Sequence, residues 1–416
     1  LRKMTIEGEN GKLTFGGTVT FQNSSQFVLN SPGTEIKGTF DFTNNNLLDA
    51  KQSANFQSSS VSTWGGNGEI KIANAAALTY KDNQWITKGK LEKTGGTMSL
   101  ENVVWSLNAD TNFSSDNAII AKTLNLNNHS LMLGSENSDL TVTDNLTINN
   151  SAEGIITGLA DLKLSSEFNL EDGQLSSTGG LISFENGALQ SGGSFDLTNT
   201  TLQLGDNFVK SSGTITTTSD GTVLNLTESV YLTSDTALSL KTLNLNDKTI
   251  TLGSETSDLS VSDAITLNSA DEKILTGSAD LSVNGIISIG NGSLESSGGT
   301  LNLSGKINQT GGVINIADSI FNLNSDLSKT GGTLQTSGTT IIPLSNLNIT
   351  SDTTITAKTI ELSDKTLSLG SENSNLILTD SFSIQNSIAT LNTGNADLSV
   401  EGDITLSDGK LTSTGG

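Results

Sequence analysis

The chain repeats itself. The octet LGSENSDL at Leu133–Leu140 returns as LGSETSDL at Leu252–Leu259 and as LGSENSNL at Leu369–Leu376, at spacings of 119 and 117 residues. AKTLNL at Ala121–Leu126 recurs from Leu240 and Ala357 with the same two spacings, and so does TGxADL, which begins at Thr157, Thr276 and Thr393. An earlier, divergent copy is marked by KTGGT at Lys93–Thr97, which stands 236 residues before KTGGT at Lys329–Thr333, with KSSGT at Lys210–Thr214 between them. These markers divide the chain into a lead-in at 1–12, a divergent copy at 13–130, copies at 131–249 and 250–366, and a partial copy at 367–416. Composition shows no linker between them, so one continuous solenoid is expected.

A finer rhythm runs inside each copy. Apolar–polar–apolar triplets such as Leu124-Asn-Leu126, Leu140-Thr-Val142 and Leu146-Thr-Ile148, with Leu131-Met-Leu133 in the same rhythm, start six to nine residues apart, each followed within two residues by Asn, Asp or Gly. Alternation of this kind marks strands with one buried face, and the trailing residues turn the chain through side-chain hydrogen bonds or positive φ. No stretch sustains helical spacing. Strands this short bury nothing alone, but stacked coil upon coil they share a narrow core. The expected fold is all-β: a parallel β-solenoid, as a right-handed β-helix, with three strands and about 20 residues per coil. About 21 coils at 4.8 Å each would make a rod on the order of 100 Å long. A tandem Ig-like sandwich fits less well, because the even spacing leaves no room for Greek-key crossovers.

Composition supports a thin core and restricts the partners. Aromatic residues are 4% of the chain and apolar residues 33%, with 43 Gly and only 2 Pro. A net charge of −23 repels phosphate backbones, so nucleic acid is not expected as a partner. Arg2 is the single arginine, which removes the bidentate fork used on carboxylates and phosphates. With no cysteine there is no disulfide framework or thiolate chemistry, and no apolar run is long enough for a membrane span. The absence of an initiator Met and of a secretory signal in the first residues reads as a segment of something longer.

The serial LNL, LTV and SGGTLNL strands with Asn, Ser and Gly turns resemble the β-helical repeat stalks of large bacterial surface adhesins, of the filamentous-haemagglutinin and autotransporter-passenger type. The likeness is one of repeat texture over nearly the whole chain. It implies secretion, display outside the cell or on its surface, and a structural or adhesive role without catalysis. Its partners would be neighbouring repeats or copies of the chain end to end. A carbohydrate-binding or carbohydrate-cleaving β-helix, lyase, hydrolase or tailspike-like, is the alternative.

No catalytic constellation assembles from the residues. The single histidine, His129, aligns with Lys248 and Lys365 in equivalent turns, which reads as an exposed turn position, since a general base has no reason to alternate with lysine. Acidic residues are spread by the repeat, as in Glu136/Glu255/Glu372 and Asp161/Asp280/Asp397, too far apart for a two-carboxylate site. The GSENSD turns offer oxygen ligands suited to calcium, with Glu136, Asp139, Glu255 and Asp258 as weak candidates, although Asn375 replaces the aspartate in the third copy. No other cofactor is expected. Trp64, Trp85 and Trp105 all lie in the divergent copy, with Tyr80 among them. Trp64, Tyr80 and Trp85 are the candidate platform for a neutral glycan, with core packing as the competing reading. Trp64 aligns with the turn residue Thr178 and is therefore the one expected to face outward.

Overall fold

The computed structural model describes residues 3–8, 12–57, 60–233 and 238–415. Arg2 and part of the 1–12 lead-in lie outside them. The chain forms two compact units, Leu1–Gly205 with Ser212–Thr216 and Asp206–Ser211 with Thr217–Gly416. Each is a stack of parallel β-coils, an all-β solenoid as the triplet rhythm requires. The coils average roughly 21 residues and number about 19 in all, against the 20 and 21 expected. The difference arises because ladder partners lie 19 to 24 residues apart where corners lengthen, as in Val104↔Thr123 and Ser130↔Gly154.

The second half of unit 1 has three short strands per coil, each paired with the third strand after it. One face runs Ile119–Ala121, Leu140–Val142, Leu162–Leu164, Leu181–Phe184 and Thr201–Leu204. A second runs Leu146–Ile148, Phe168–Leu170 and Ala188–Gln190, and a third runs from Ser130–Leu133 to Thr214–Thr216. Outer triplet residues are inward and the middle one outward, so Leu140, Leu162 and Ile182 stack directly over one another and are buried. Each fully buried Leu or Ile contributes about 1.5–3 kcal/mol relative to exposure. Turns form as the Asn and Asp content requires: Asn127 and Asn128 adopt φ of 52° and 64°, and the aligned Asn246 and Asp247 adopt 53° and 62°.

The first half of unit 1 departs from the short-strand expectation. Its strands Thr34–Thr43, Asn67–Lys81, Gln84–Glu101 and Val104–Ser115 run to 10, 15, 18 and 12 residues. They turn corners without ending, so Asn67–Lys81 pairs with Leu47–Ala50 at one end and Ala54–Phe56 at the other. Gly38, Gly89 and Gly95 lie inside these strands with φ of 134°, 74° and 75°, making the corner in place of an Asn or Ser turn.

In unit 2 the three-strand rule holds over a longer stack. One face runs from Leu238–Leu240 to Ile404–Leu406, another from Ile265–Leu267 to Lys410–Ser413, and a third from Phe208–Lys210 to Thr333–Gln335. At corners the coils touch backbone to backbone. Gly332 has φ of 76°, and a Cβ there would stand 2.3 Å from the carbonyl oxygen of Gly311 in the neighbouring coil. Gly332→Ala is therefore expected to lower stability by more than about 1 kcal/mol in chemical denaturation, since both the backbone conformation and the space oppose a side chain.

Candidate functional site

The candidate platform is inside the molecule. Trp64, Tyr80 and Trp85 are 1, 0 and 0% exposed. Trp64 stacks on Phe42 with ring centroids 4.1 Å apart and planes 6° from parallel, and Tyr80 stacks on Phe56 at 4.3 Å and 3°. Trp85 meets Trp105 at 4.9 Å and Phe113 edge-on at 5.6 Å. The outward expectation for Trp64 fails by one residue of register. In the ladder Trp64 lies over the inward-facing Phe42, and a shift of one position on a strand exchanges the two faces. Burial pushes the Tyr80 phenol well above its usual range, with the Ser62 and Trp64 side chains beside it drawing it partly back. These rings thicken the core where the triplets are least regular, and they present no face to a sugar.

The GSENSD turns cap backbone. Asp139 Oδ1 accepts the Asp161 N–H at 2.8 Å, and Asp258 Oδ1 accepts the Asp280 N–H at 2.9 Å. Asn375 does the same for Asp397 at 2.8 Å, which explains why amide and carboxylate interchange at this position. Asp161 and Asp280 pass the pattern on, accepting the N–H groups of Leu181 and Thr300. Glu136 and Glu255 point into solvent. Among the described residues no three His, Asp or Glu side chains come together as metal ligands. The turns thus bring Asp139 and Asp258 to the next coil's backbone and leave the glutamates apart from them.

His129 is half-buried in its turn, with Nδ1 3.9 Å from Asp110 Oδ1. The aligned Lys248 and Lys365 face Glu228 and Asp364 at 3.3 and 2.8 Å. All three positions hold a basic group in a turn beside an acid, as the alignment implies, but each side chain is half-buried instead of fully exposed.

The groups with the most unusual surroundings are lysines. Lys93, Lys210 and Lys329 are buried, at 1, 5 and 1% exposure, and they are the aligned lysines of KTGGT, KSSGT and KTGGT. Lys93 Nζ donates to the carbonyls of Gly95 and Gly96 at 2.6 and 2.9 Å, to Asp116 Oδ1 at 2.8 Å and to Asn117 Oδ1 at 2.6 Å. Lys329 Nζ donates to Asp352. In the sequence these lysines mark the repeat, and the signal of their burial is that each ends an inward triplet. Glu92 and Asp116 share the rim of a small groove beside Lys93. Burial would raise the Asp116 carboxyl, but hydrogen bonds from Lys93 and the Gly95 N–H, with the ammonium charge, outweigh it and hold it below its ordinary 3.8. Both Asp116 oxygens are engaged, Oδ2 by Gly95 N–H at 2.6 Å. A carboxylate held ionised in this way is not a proton donor.

Two further grooves are polar and shallow, one in unit 1 lined by Asp82, Gln84, Asn102 and Lys122, the other in unit 2 by Thr359, Glu361, Ser383 and Gln385. The exposed ring overlooked in the sequence is Tyr231, which lies over Gly253, where a Cβ would meet it at 2.6 Å. No helix among the described residues is long and apolar enough to cross a membrane. No family model matches the chain, and no curated protein or solved structure matches it.

Three outcomes follow from this geometry. Trp64→Ala should lower stability by about 3–5 kcal/mol in chemical denaturation, the cost of a large cavity in an aromatic core. Asp258→Asn should lower the thermal midpoint less than Asp258→Ala, because the amide oxygen still accepts the Asp280 N–H through a weaker, uncharged bond, whereas Ala leaves that N–H unpaired at a cost of about 1 kcal/mol or more. Because the folded Asp116 carboxyl is depressed, its stabilisation is complete above pH 3.8 and fades as pH falls through the lowered value. Asp116→Asn and parent should therefore differ in thermal midpoint near neutrality and converge in strong acid.

Proposed function

We propose that the chain is a non-catalytic, rod-like stalk or filament segment of a large bacterial surface adhesin, carried outside the cell as part of a longer secreted chain. One observation supports this above all. Inward residues are spent on coil-to-coil packing, and the two aspartates among the calcium candidates, Asp139 and Asp258, cap the backbone of the next coil. A surface rich in Ser, Thr, Asn and dispersed acids suits a spacer. Small-angle scattering tests the reading. A stalk segment should scatter as an elongated particle on the order of 100 Å long at 4.8 Å per coil; a compact or beaded envelope would overturn it.

The partners of such a segment are neighbouring repeats or copies of itself end to end. Sedimentation tests this: concentration-dependent self-association supports end-to-end copies, and a strictly monomeric chain at high concentration would contradict it.

The carbohydrate-binding alternative keeps one supporting observation, the outward Tyr231 ring. Screening neutral glycans against the parent and Tyr231→Ala decides it, with binding lost in the variant favouring that reading over a plain spacer.

A further inference from the structure

The three-strand coils share a weakness that their own regularity creates. Ile287-Ser-Ile289 and Leu301-Asn-Leu303 are inward triplets of the same form on different faces of unit 2. A chain displaced by one strand would turn its coil by about a third and still lay aliphatic residues on aliphatic residues, with the backbone ladder intact. Aliphatic packing and backbone pairing therefore specify this register poorly.

One column is different. Leu267, Ile289, Gln309 and Lys329 lie in ladder register one after another, and all four are buried. The adjacent column stays apolar through Ile265, Ile287, Ile307 and Leu327, as does Leu281, Leu301, Phe321 and Ile341 on another face. Gln309 Nε2 donates to the carbonyl of Thr333 at 2.8 Å, and the Lys329 ammonium donates to Asp352. Unit 1 has the same substitution in the column Ile148, Leu170, Gln190, where Gln190 Nε2 donates to the Thr214 carbonyl at 2.9 Å. Lys93 enters another such column between Ile70 and Ser115.

We infer that the buried glutamine and lysine set the rotational register of the coils, about once in every copy of the repeat. In the native register the Gln190 and Gln309 amide nitrogens and the Lys329 ammonium each find an acceptor at their own corner, although the two glutamine Oε1 atoms are buried without a donor. After a one-strand displacement the Lys329 ammonium would face an aliphatic column while Asp352 stood at a different corner, and a buried charge without its partner is far more costly than an exchanged aliphatic contact. A single buried polar residue fixes alignment in coiled coils on the same principle, by penalising the alternatives.

The test uses the full chain, whose lack of cysteine makes introduced pairs clean reporters. Asn308→Cys with Ser328→Cys joins outward neighbours of the native ladder, at a spacing of about 4.8 Å that a disulfide spans. Asn308→Cys with Asn322→Cys joins outward positions on different faces, which meet only after a one-strand displacement. Refolded from denaturant under oxidation, the parent background should form the first crosslink alone. With Gln309→Met and Lys329→Met together, the second crosslink should rise several-fold while the thermal midpoint holds or increases. Native crosslinking only, in the double methionine variant, would overturn the inference. Failure of that variant to fold would overturn it too, since the lysine would then be a stabilising clamp.

Discussion

The hydrogen-bond ladder between successive coils is the interaction on which the rest depends. Each strand pairs in parallel with strands about one coil before and after it, as Leu162–Leu164 does with Leu140–Val142 and with Leu181–Phe184. That pairing places like residues over like, which makes a three-residue triplet sufficient: Leu162 needs only Leu140 below and Ile182 above to be removed from water. No coil could be stable alone, because its inward residues cover one another only across the stack. Stability is therefore a property of neighbours, and the corners matter as much as the core.

Corners are satisfied by side chains reaching one coil along. Asp139 on the Asp161 backbone, Ser138 on the Ser115 N–H and Lys93 on Asp116 all bridge consecutive coils. A large excess of acid is compatible with such a surface because the carboxylates are dispersed along the coils and several accept backbone N–H groups, charge-assisted bonds that are stronger than neutral ones. Where inward triplets give way to long bent strands, in the divergent first copy, large rings fill the core. Phe21, Phe42 and Trp64 form a continuous stack, with centroid separations of 4.8 and 4.1 Å.

Much of this was legible from spacing alone. Alternation in LTV and LTI fixed the inward face of Leu140, Val142, Leu146 and Ile148, and three strands per coil followed from a step of six to nine residues. The face of Trp64 was not legible, because alignment across divergent copies leaves a one-residue uncertainty and a period of two converts that into the wrong side. Long strands were hidden for a related reason: glycines such as Gly89 and Gly95 read as turn signals, yet they bend a strand that continues past them. The buried lysines were visible as repeat markers, but pairing with a residue 23 positions on, as in Lys93 with Asp116, leaves no local pattern. Asp139 stands out in the sequence for its oxygen atoms, but only the coil geometry shows a backbone N–H within their reach.

The central claim, parallel coils stacked in register with three strands each, is tested most directly by a spin-label distance within unit 2. Ser260, Ser282, Asn302, Asn322 and Ile342 occupy successive outward positions on one face. Cysteines introduced at 260 and 342 are the only two in the chain. Four ladder steps predict a narrow distribution centred near 19 Å between the labelled backbones, at about 4.8 Å per step. A broad distribution, or a separation far beyond that spacing, would contradict the stacked coil.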